Sequence, residues 1–112
     1  MAKVRIIDVV GSTICVAAED GQRVNQEIAR QIASKEKVIL SFIGIERLTT
    51  AFLNAAIGQL YGEFSEEQIR EFVEPPNDAA PVQLSMLKKV VERAKEYFKD
   101  PAKYKSLDDL SL

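Results

Sequence analysis

The chain has 112 residues and a net charge of −2, with 46% hydrophobic and 29% charged residues. This length suits one domain, and the composition excludes disordered, collagen-like and coiled-coil proteins. The sequence has neither the run of about 20 apolar residues that a membrane-spanning helix needs nor the apolar start of a secretory signal, so we expect a cytoplasmic protein. The small net charge disfavours a nucleic-acid or membrane-surface partner.

The first twenty residues predict a β-hairpin. β-branched residues dominate two runs, from Val4 to Val10 and from Thr13 to Val16. Gly11-Ser12 separates the runs, and a two-residue loop that begins with glycine suits a type II′ turn. Asp20-Gly21 then ends the second strand.

A helix and a buried strand are expected next. Apolar residues recur at every fourth position from Val24 to Ile32, which predicts a helix over residues 21–34 with Asp20 as its N-cap. Residues 38–42 are apolar on both faces, as in a strand at the middle of a sheet.

A second helix is expected to begin at Thr49 or Thr50, whose hydroxyl would accept a hydrogen bond from an unpaired backbone N–H. Gly62 would end this helix as a C′ glycine. Its predicted buried face is a stripe at helical spacing, formed by Leu53, Ala56, Ile57, Leu60 and Tyr61.

The rest of the chain predicts a short helix, a brief strand and a long helix. Ser65 opens a capping box, and residues 72–73 suit a strand that Pro75-Pro76 stops. A final helix is expected over residues 81–98, with Pro81 in its first turn. Its predicted inner face comprises Leu84, Leu87, Val91, Ala94 and Phe98.

These elements predict an α/β domain with the order ββαβαβα, in which helices pack on a small mixed β-sheet. The domain would comprise residues 1–101. For the tail, residues 102–112, two alternatives stay open: partial disorder, or docking through Leu107, Leu110 and Leu112.

Signatures of catalysis are weak. The chain has no histidine, and its single cysteine, Cys15, suits a small buried hydrophobe in a predicted strand. Histidine-based nucleophilic mechanisms and zinc sites of the cysteine–histidine type therefore lack their residues. The five glycines form no phosphate-binding motif. We expect neither enzymatic activity nor a metal or other cofactor.

One segment stands out, residues 38–64, in which a buried strand leads through a connector to Thr49 and Thr50 at a helix start. Hydroxyls there adjoin exposed backbone N–H groups and the positive end of the helix dipole, which stabilise an anion. Capping of the helix by one threonine explains the same residues, so both interpretations stay open.

This segment resembles the STAS superfamily, and more closely its small bacterial STAS-like family of unknown function, whose members look like anti-sigma-factor antagonists. The resemblance rests on the apolar strand, the pair Gly44-Ile45, residues 48–53 (Leu-Thr-Thr-Ala-Phe-Leu) and residues 58–61 (Gly-Gln-Leu-Tyr). It covers nearly the whole predicted domain and implies an α/β fold with a regulatory, protein-binding role.

In anti-sigma-factor antagonists the connector and helix start face an ATPase-type kinase or an anti-sigma factor. A serine in an Asp-Ser-Ser-Gly motif there is phosphorylated to break the complex. Aligned on the strand, that serine corresponds to Ala51, which has no hydroxyl, and Ser41 stands where the STAS-like family often has aspartate. Thr50 is the nearest substitute, and a phosphate on it would add about −1.5 to −2 charge.

The resemblance therefore predicts a non-enzymatic module that binds a protein partner through the connector and helix start. The expected contact residues are Ile45, Glu46, Arg47, Leu48, Thr49, Thr50, Phe52 and Asn54. Phe52 lies off the predicted buried stripe, so it is either an exposed apolar anchor or packs beneath the loop.

Two other functions are kept as alternatives. One is a sensor of a small molecule or anion at Thr49 and Thr50. The other is a nucleic-acid-binding regulator that uses the basic residues of the last helix and tail.

Overall fold

Two small parallel sheets form the β-structure of residues 1–100, which are the residues that the computed structural model describes. The strands are β1 (Ala2–Arg5), β2 (Ile14–Cys15), β3 (Val38–Ser41), β4 (Arg47–Leu48) and β5 (Val73–Glu74). The larger sheet has the order β1-β3-β5, and the smaller one pairs β2 with β4. All of these pairings are parallel. The α/β class is confirmed, whereas the expected mixed sheet is wrong.

A short helix replaces the second half of the predicted first strand. Helix α1 (Ile6–Val10) follows β1 directly, and Gly11 ends it in the left-handed conformation with φ of 79°. Ile6 and Val10 lie one helical turn apart and are both buried, while Asp8 between them is exposed. The predicted hairpin is therefore wrong: β1 and β2 belong to different sheets, and Gly11 caps a helix instead of forming a turn between strands.

The first predicted helix is confirmed as α2 (Ala18–Ala33), which begins three residues earlier than expected. Its N-cap position is Ala17, so Asp20 lies in the first turn and not at the cap. Val24, Ile28 and Ile32 form the buried face as predicted.

The second predicted helix is interrupted by a π-helical segment. Its parts are α3 (Thr50–Leu53), the π-segment (Asn54–Gly58) and α4 (Leu60–Glu63). Gly62 lies inside α4 instead of ending it, and Phe64 occupies the C-cap. The side-chain amide of the buried Asn25 donates to the Ala56 carbonyl at 3.3 Å, which satisfies a backbone acceptor inside the π-segment.

The predicted capping box and final helix are confirmed. Ser65 caps α5 (Glu66–Phe72) by accepting from the Gln68 N–H, and α6 spans Pro81–Lys99 with proline in its first turn. The π-segment packs between α2 and α6, which places the core there. Leu87 and Ala94 of α6 are buried as expected, but Leu84 is 40% exposed.

Within residues 1–100, no helix combines the length and the apolar character that crossing a membrane requires. The tail prediction concerns residues that lie outside the described part of the chain.

Candidate functional site

The predicted contact segment forms a corner that is fastened to β2. After β3 the chain turns, and β4 pairs with β2 so that Ile14 faces Arg47 and Cys15 faces Leu48 in register. The backbone N–H of Glu46 donates to the Thr13 carbonyl at 2.9 Å, and the Thr13 hydroxyl donates to the Glu46 carboxylate at 2.5 Å. Neighbouring chain segments therefore hold the corner in place.

Thr49 caps the helix that follows. Its Oγ1 accepts from the Phe52 N–H at 3.2 Å and donates to the Val16 carbonyl at 2.9 Å. Both hydrogen-bonding functions of the hydroxyl are thus used inside the domain, which confirms the capping interpretation for Thr49. The adjacent Thr50 is half-buried, and its hydroxyl has no hydrogen-bond partner among the described residues.

Two of the predicted contact residues are not at the surface. Phe52 is fully buried and Asn54 is 4% exposed, so both are wrong as partner contacts, and of the two alternatives for Phe52 the buried one is correct. The reason is that the whole stretch 52–58 lies in the core, between α2 and α6. The sequence does indicate this burial, because no charged residue occurs between Arg47 and Glu63.

The remaining predicted residues divide by exposure. Ile45 is half-buried and packs against the core. Glu46 and Arg47 are exposed, and Leu48 and Thr49 are half-buried.

Residues 46–49 form one wall of an open groove of about 630 Å³, which we call the corner groove. The other walls come from β2 with the residue after it and from the first two turns of α6. Its lining consists of Ile14, Val16, Glu46, Arg47, Leu48, Thr49, Val82, Gln83 and Met86. The fold thus brings together three segments that are distant in the sequence.

Exposed apolar side chains distinguish this groove. Ile14 and Val16 are each 38% exposed, and Val82 is 67% exposed. The contribution of β2 and α6 to the site was not predicted from the sequence. The alternation in β2 indicates its part in the site, since Ile14 and Val16 flank the buried Cys15 and so point away from the core.

More than half of the chain, residues 20–83, matches the model of a family described as STAS-like domain of unknown function (DUF4325). The chain belongs to this family. No curated protein and no solved structure matches the chain. The matched region runs from α2 to the first turn of α6 and includes the corner itself, so the STAS-like resemblance of residues 38–64 is confirmed.

In this STAS-like domain a polar contact joins the segment before α6 to the carboxyl end of β3. The Asp78 carboxylate accepts from the Ser41 hydroxyl at 2.6 Å and from the Phe42 N–H at 2.9 Å. The hydrogen bond from Ser41 is the main cause that lowers the pKa of Asp78, and the Phe42 N–H and Lys3 act in the same direction. Asp78 lies just before Pro81, where α6 begins, so this contact ties the approach to α6 to the end of β3.

The thiol of Cys15, which is a potential nucleophile, is buried in the core of the STAS-like domain. Burial raises the pKa of the Cys15 thiol, and the Asp20 carboxylate raises it further, which keeps the thiol protonated and unreactive. Within residues 1–100 no three cysteine or carboxylate side chains come together in a way that would hold a metal ion.

Proposed function

We propose that this STAS-like domain is a non-enzymatic protein-interaction module that binds a partner protein in the corner groove. The observation that carries the proposal is the exposure of Ile14, Val16 and Val82 around one groove. Apolar side chains that cluster at the surface typically mark a binding site, because covering them releases water.

The polar rim of the groove suits a protein partner. Arg47 is exposed beside the apolar side chains, and arginine is enriched among residues that contribute strongly to protein interfaces. Glu46 is held by Thr13 and so presents its carboxylate in a fixed position. Because neighbouring segments hold the backbone of the corner and the Glu46 side chain in place, the partner would not have to order these parts of the groove on binding.

The partner that family resemblance suggests is an ATPase-type kinase or an anti-sigma factor, as for anti-sigma-factor antagonists. Phosphorylation of Thr50 would then regulate the complex. The Thr50 hydroxyl has no hydrogen bond to lose among the described residues, and Thr50 follows Thr49, which lines the groove. A phosphate there would repel an acidic partner surface.

The two alternative functions have less support. An anion at the helix start would compete with the Val16 carbonyl for the Thr49 O–H and with Thr49 Oγ1 for the Phe52 N–H, and both donors are already engaged. A basic nucleic-acid-binding face on α6 would have to include Glu92 and Glu96, which alternate with its lysines.

A matched pair of variants on α6 tests the proposal. Val82→Asp places a charge in the corner groove, and Leu84→Asp places the same charge at an exposed leucine of the same helix that does not line the groove. The tagged full chain captures binding proteins from an extract of its source organism, and each is quantified by mass spectrometry. We expect one protein to be captured by wild type and Leu84→Asp and lost with Val82→Asp.

The proposed function is wrong if Val82→Asp, shown by circular dichroism to be folded, captures the same proteins in the same amounts as wild type. Thr50→Glu tests regulation separately and is expected to weaken capture. Phe52→Asp is unsuitable, since it would bury a charge in the core.

A further inference from the structure

A second groove, of about 240 Å³, lies between α5 and α6, on the part of the domain that the corner groove does not use. We call it the α5–α6 groove. Its floor is apolar, formed by Leu60, Ile69, Val73, Leu87 and Val91. These side chains come from α4, α5, β5 and α6, so the groove follows the junction of four elements.

The rim of the α5–α6 groove carries an excess of positive charge. Arg70 and Lys95 line it, against the single carboxylate of Glu66. Lys95 Nζ lies 5.8 Å from the centre of the Tyr61 ring, and neither cation forms an ion pair with a residue of the described part of the chain. An apolar floor with a cationic rim favours an occupant that carries both apolar and acidic side chains.

A continuous path joins the end of α6 to this groove. Phe98 and Lys99 line a smaller hollow of about 120 Å³, and that hollow shares Tyr61, Glu66 and Lys95 with the α5–α6 groove. Chain that leaves α6 after Lys99 therefore begins beside the hollow.

The chain after Lys99 is long enough to return along the groove. Leu87 lies twelve residues before the end of α6, or about 18 Å along the helix axis. An extended chain advances about 3.3 Å per residue, so roughly six residues cover that length. Residues 107–110 are then within reach of the whole groove.

The sequence of this segment has the required chemistry. Tyr104, Leu107 and Leu110 recur at intervals of three residues, and Asp108-Asp109 stands between the two leucines. We infer that residues 101–112 of this chain occupy the α5–α6 groove, with Leu107 and Leu110 on its apolar floor and the two aspartates facing Arg70 and Lys95. This inference does not depend on the proposed function of the corner groove.

A zero-length cross-link tests the inference on the full chain. A carbodiimide joins a carboxylate to an amine only when the two are in contact, and peptide mass spectrometry locates the bond. We expect a bond between Lys95 and Asp108 or Asp109. An equal mixture of ¹⁴N and ¹⁵N protein is used, and we expect both halves of the cross-linked peptide to carry the same isotope.

Two double variants separate docking from chance contact. Leu107→Ala with Leu110→Ala removes the proposed apolar contacts, and Ser106→Ala with Ser111→Ala changes the same segment without touching them. The yield of the cross-link should fall several-fold in the leucine variant and stay unchanged in the serine variant.

Absence of the cross-link, or an equal yield in both double variants, would overturn the inference. Cross-linked peptide of which about half carries different isotopes in its two parts, as random pairing of separate chains gives, would also overturn it, in favour of a second copy as the occupant.

Discussion

The adjacent residues Thr49 and Thr50 have different roles, and only their geometry in the structure distinguishes them. The sequence predicts that Thr49 or Thr50 caps the helix, and both have the same hydroxyl. Thr49 is the cap because its extended backbone, with φ of −121° and ψ of 159°, turns Oγ1 towards the Phe52 N–H. The same atom reaches the Val16 carbonyl, so one side chain joins the helix start to the residue after β2.

Removal of the Thr49 hydroxyl should therefore destabilise the domain much more than removal of the Thr50 hydroxyl. We expect Thr49→Ala to lower the free energy of unfolding by about 1–2 kcal/mol, since it loses a helix cap, and Thr50→Ala by less than about 0.5 kcal/mol. Urea denaturation measures both. Thr49→Ser keeps the hydroxyl and should restore most of the stability, and equal losses for the two alanine variants would contradict the assignment.

The ionisation of Asp78 is expected to make the stability of the domain depend on pH. Its pKa is lowered in the folded state, first by the Ser41 hydroxyl and then by the Phe42 N–H. The ionised carboxylate therefore stabilises the fold at any pH above its unfolded pKa of about 3.9, and this contribution is lost as the pH falls through the lower folded pKa.

We expect the wild-type free energy of unfolding to fall more steeply with acidification below about pH 4 than that of Asp78→Asn. Ser41→Ala removes the main cause of the shift and should give an intermediate slope. Urea denaturation at a series of pH values provides the comparison. Parallel curves for wild type and Asp78→Asn would show that Asp78 does not contribute.

At the scale of elements, helical periodicity predicts the long helices but not the short ones. The stripes in α2 and α6 are long enough to identify each helix. Four of residues 6–10 are β-branched and favour a strand by composition, yet burial of Ile6 and Val10 on one side makes the segment helical. In so short a segment, contacts with the rest of the domain outweigh intrinsic preference.

The π-segment is the second feature that the sequence does not predict. One hydrogen bond that supports it comes from Asn25, which is 31 positions from the Ala56 carbonyl, so no local pattern contains this contact. The stretch 52–58 is buried because it packs between α2 and α6, a placement that the sequence does not show, so Phe52 and Asn54 were wrongly predicted to contact a partner.

Close packing of α2 on the π-segment depends on Gly21. A Cβ at this position would lie 2.5 Å from the Phe52 carbonyl oxygen and 2.9 Å from the Ala55 Cβ, so the helices would have to separate. Alanine is the better helix former by about 1 kcal/mol, but we expect Gly21→Ala to destabilise the domain by about 1–3 kcal/mol because of this overlap.

Thermal or urea denaturation tests the Gly21→Ala prediction. Gln22→Ala, at the next and exposed position of α2, is the control and should change stability little. A Gly21→Ala variant that is more stable than wild type would mean that the packing between α2 and the π-segment is looser than described.

At the scale of the whole molecule, the corner groove exists because the fold assembles three distant segments. Sequence analysis predicted the corner, residues 45–48, from its place between a buried strand and a helix. It did not predict Val82 or Met86, because α6 is placed by contacts with the π-segment and α3 and, just before it, by the hydrogen bond between Ser41 and Asp78, which are 37 positions apart. Patterns within one element do not carry that information.

Photo-cross-linking in the cells that make the protein tests most directly whether the corner groove binds a partner. A photoreactive amino acid replaces Val82 in one version of the full chain and Leu84 in another, so that the two probes occupy exposed positions two residues apart on one helix. We expect light to join a second protein to the chain with the probe at position 82 and not at position 84. Cross-linking only at position 84, or at neither position, would contradict the role proposed for the corner groove.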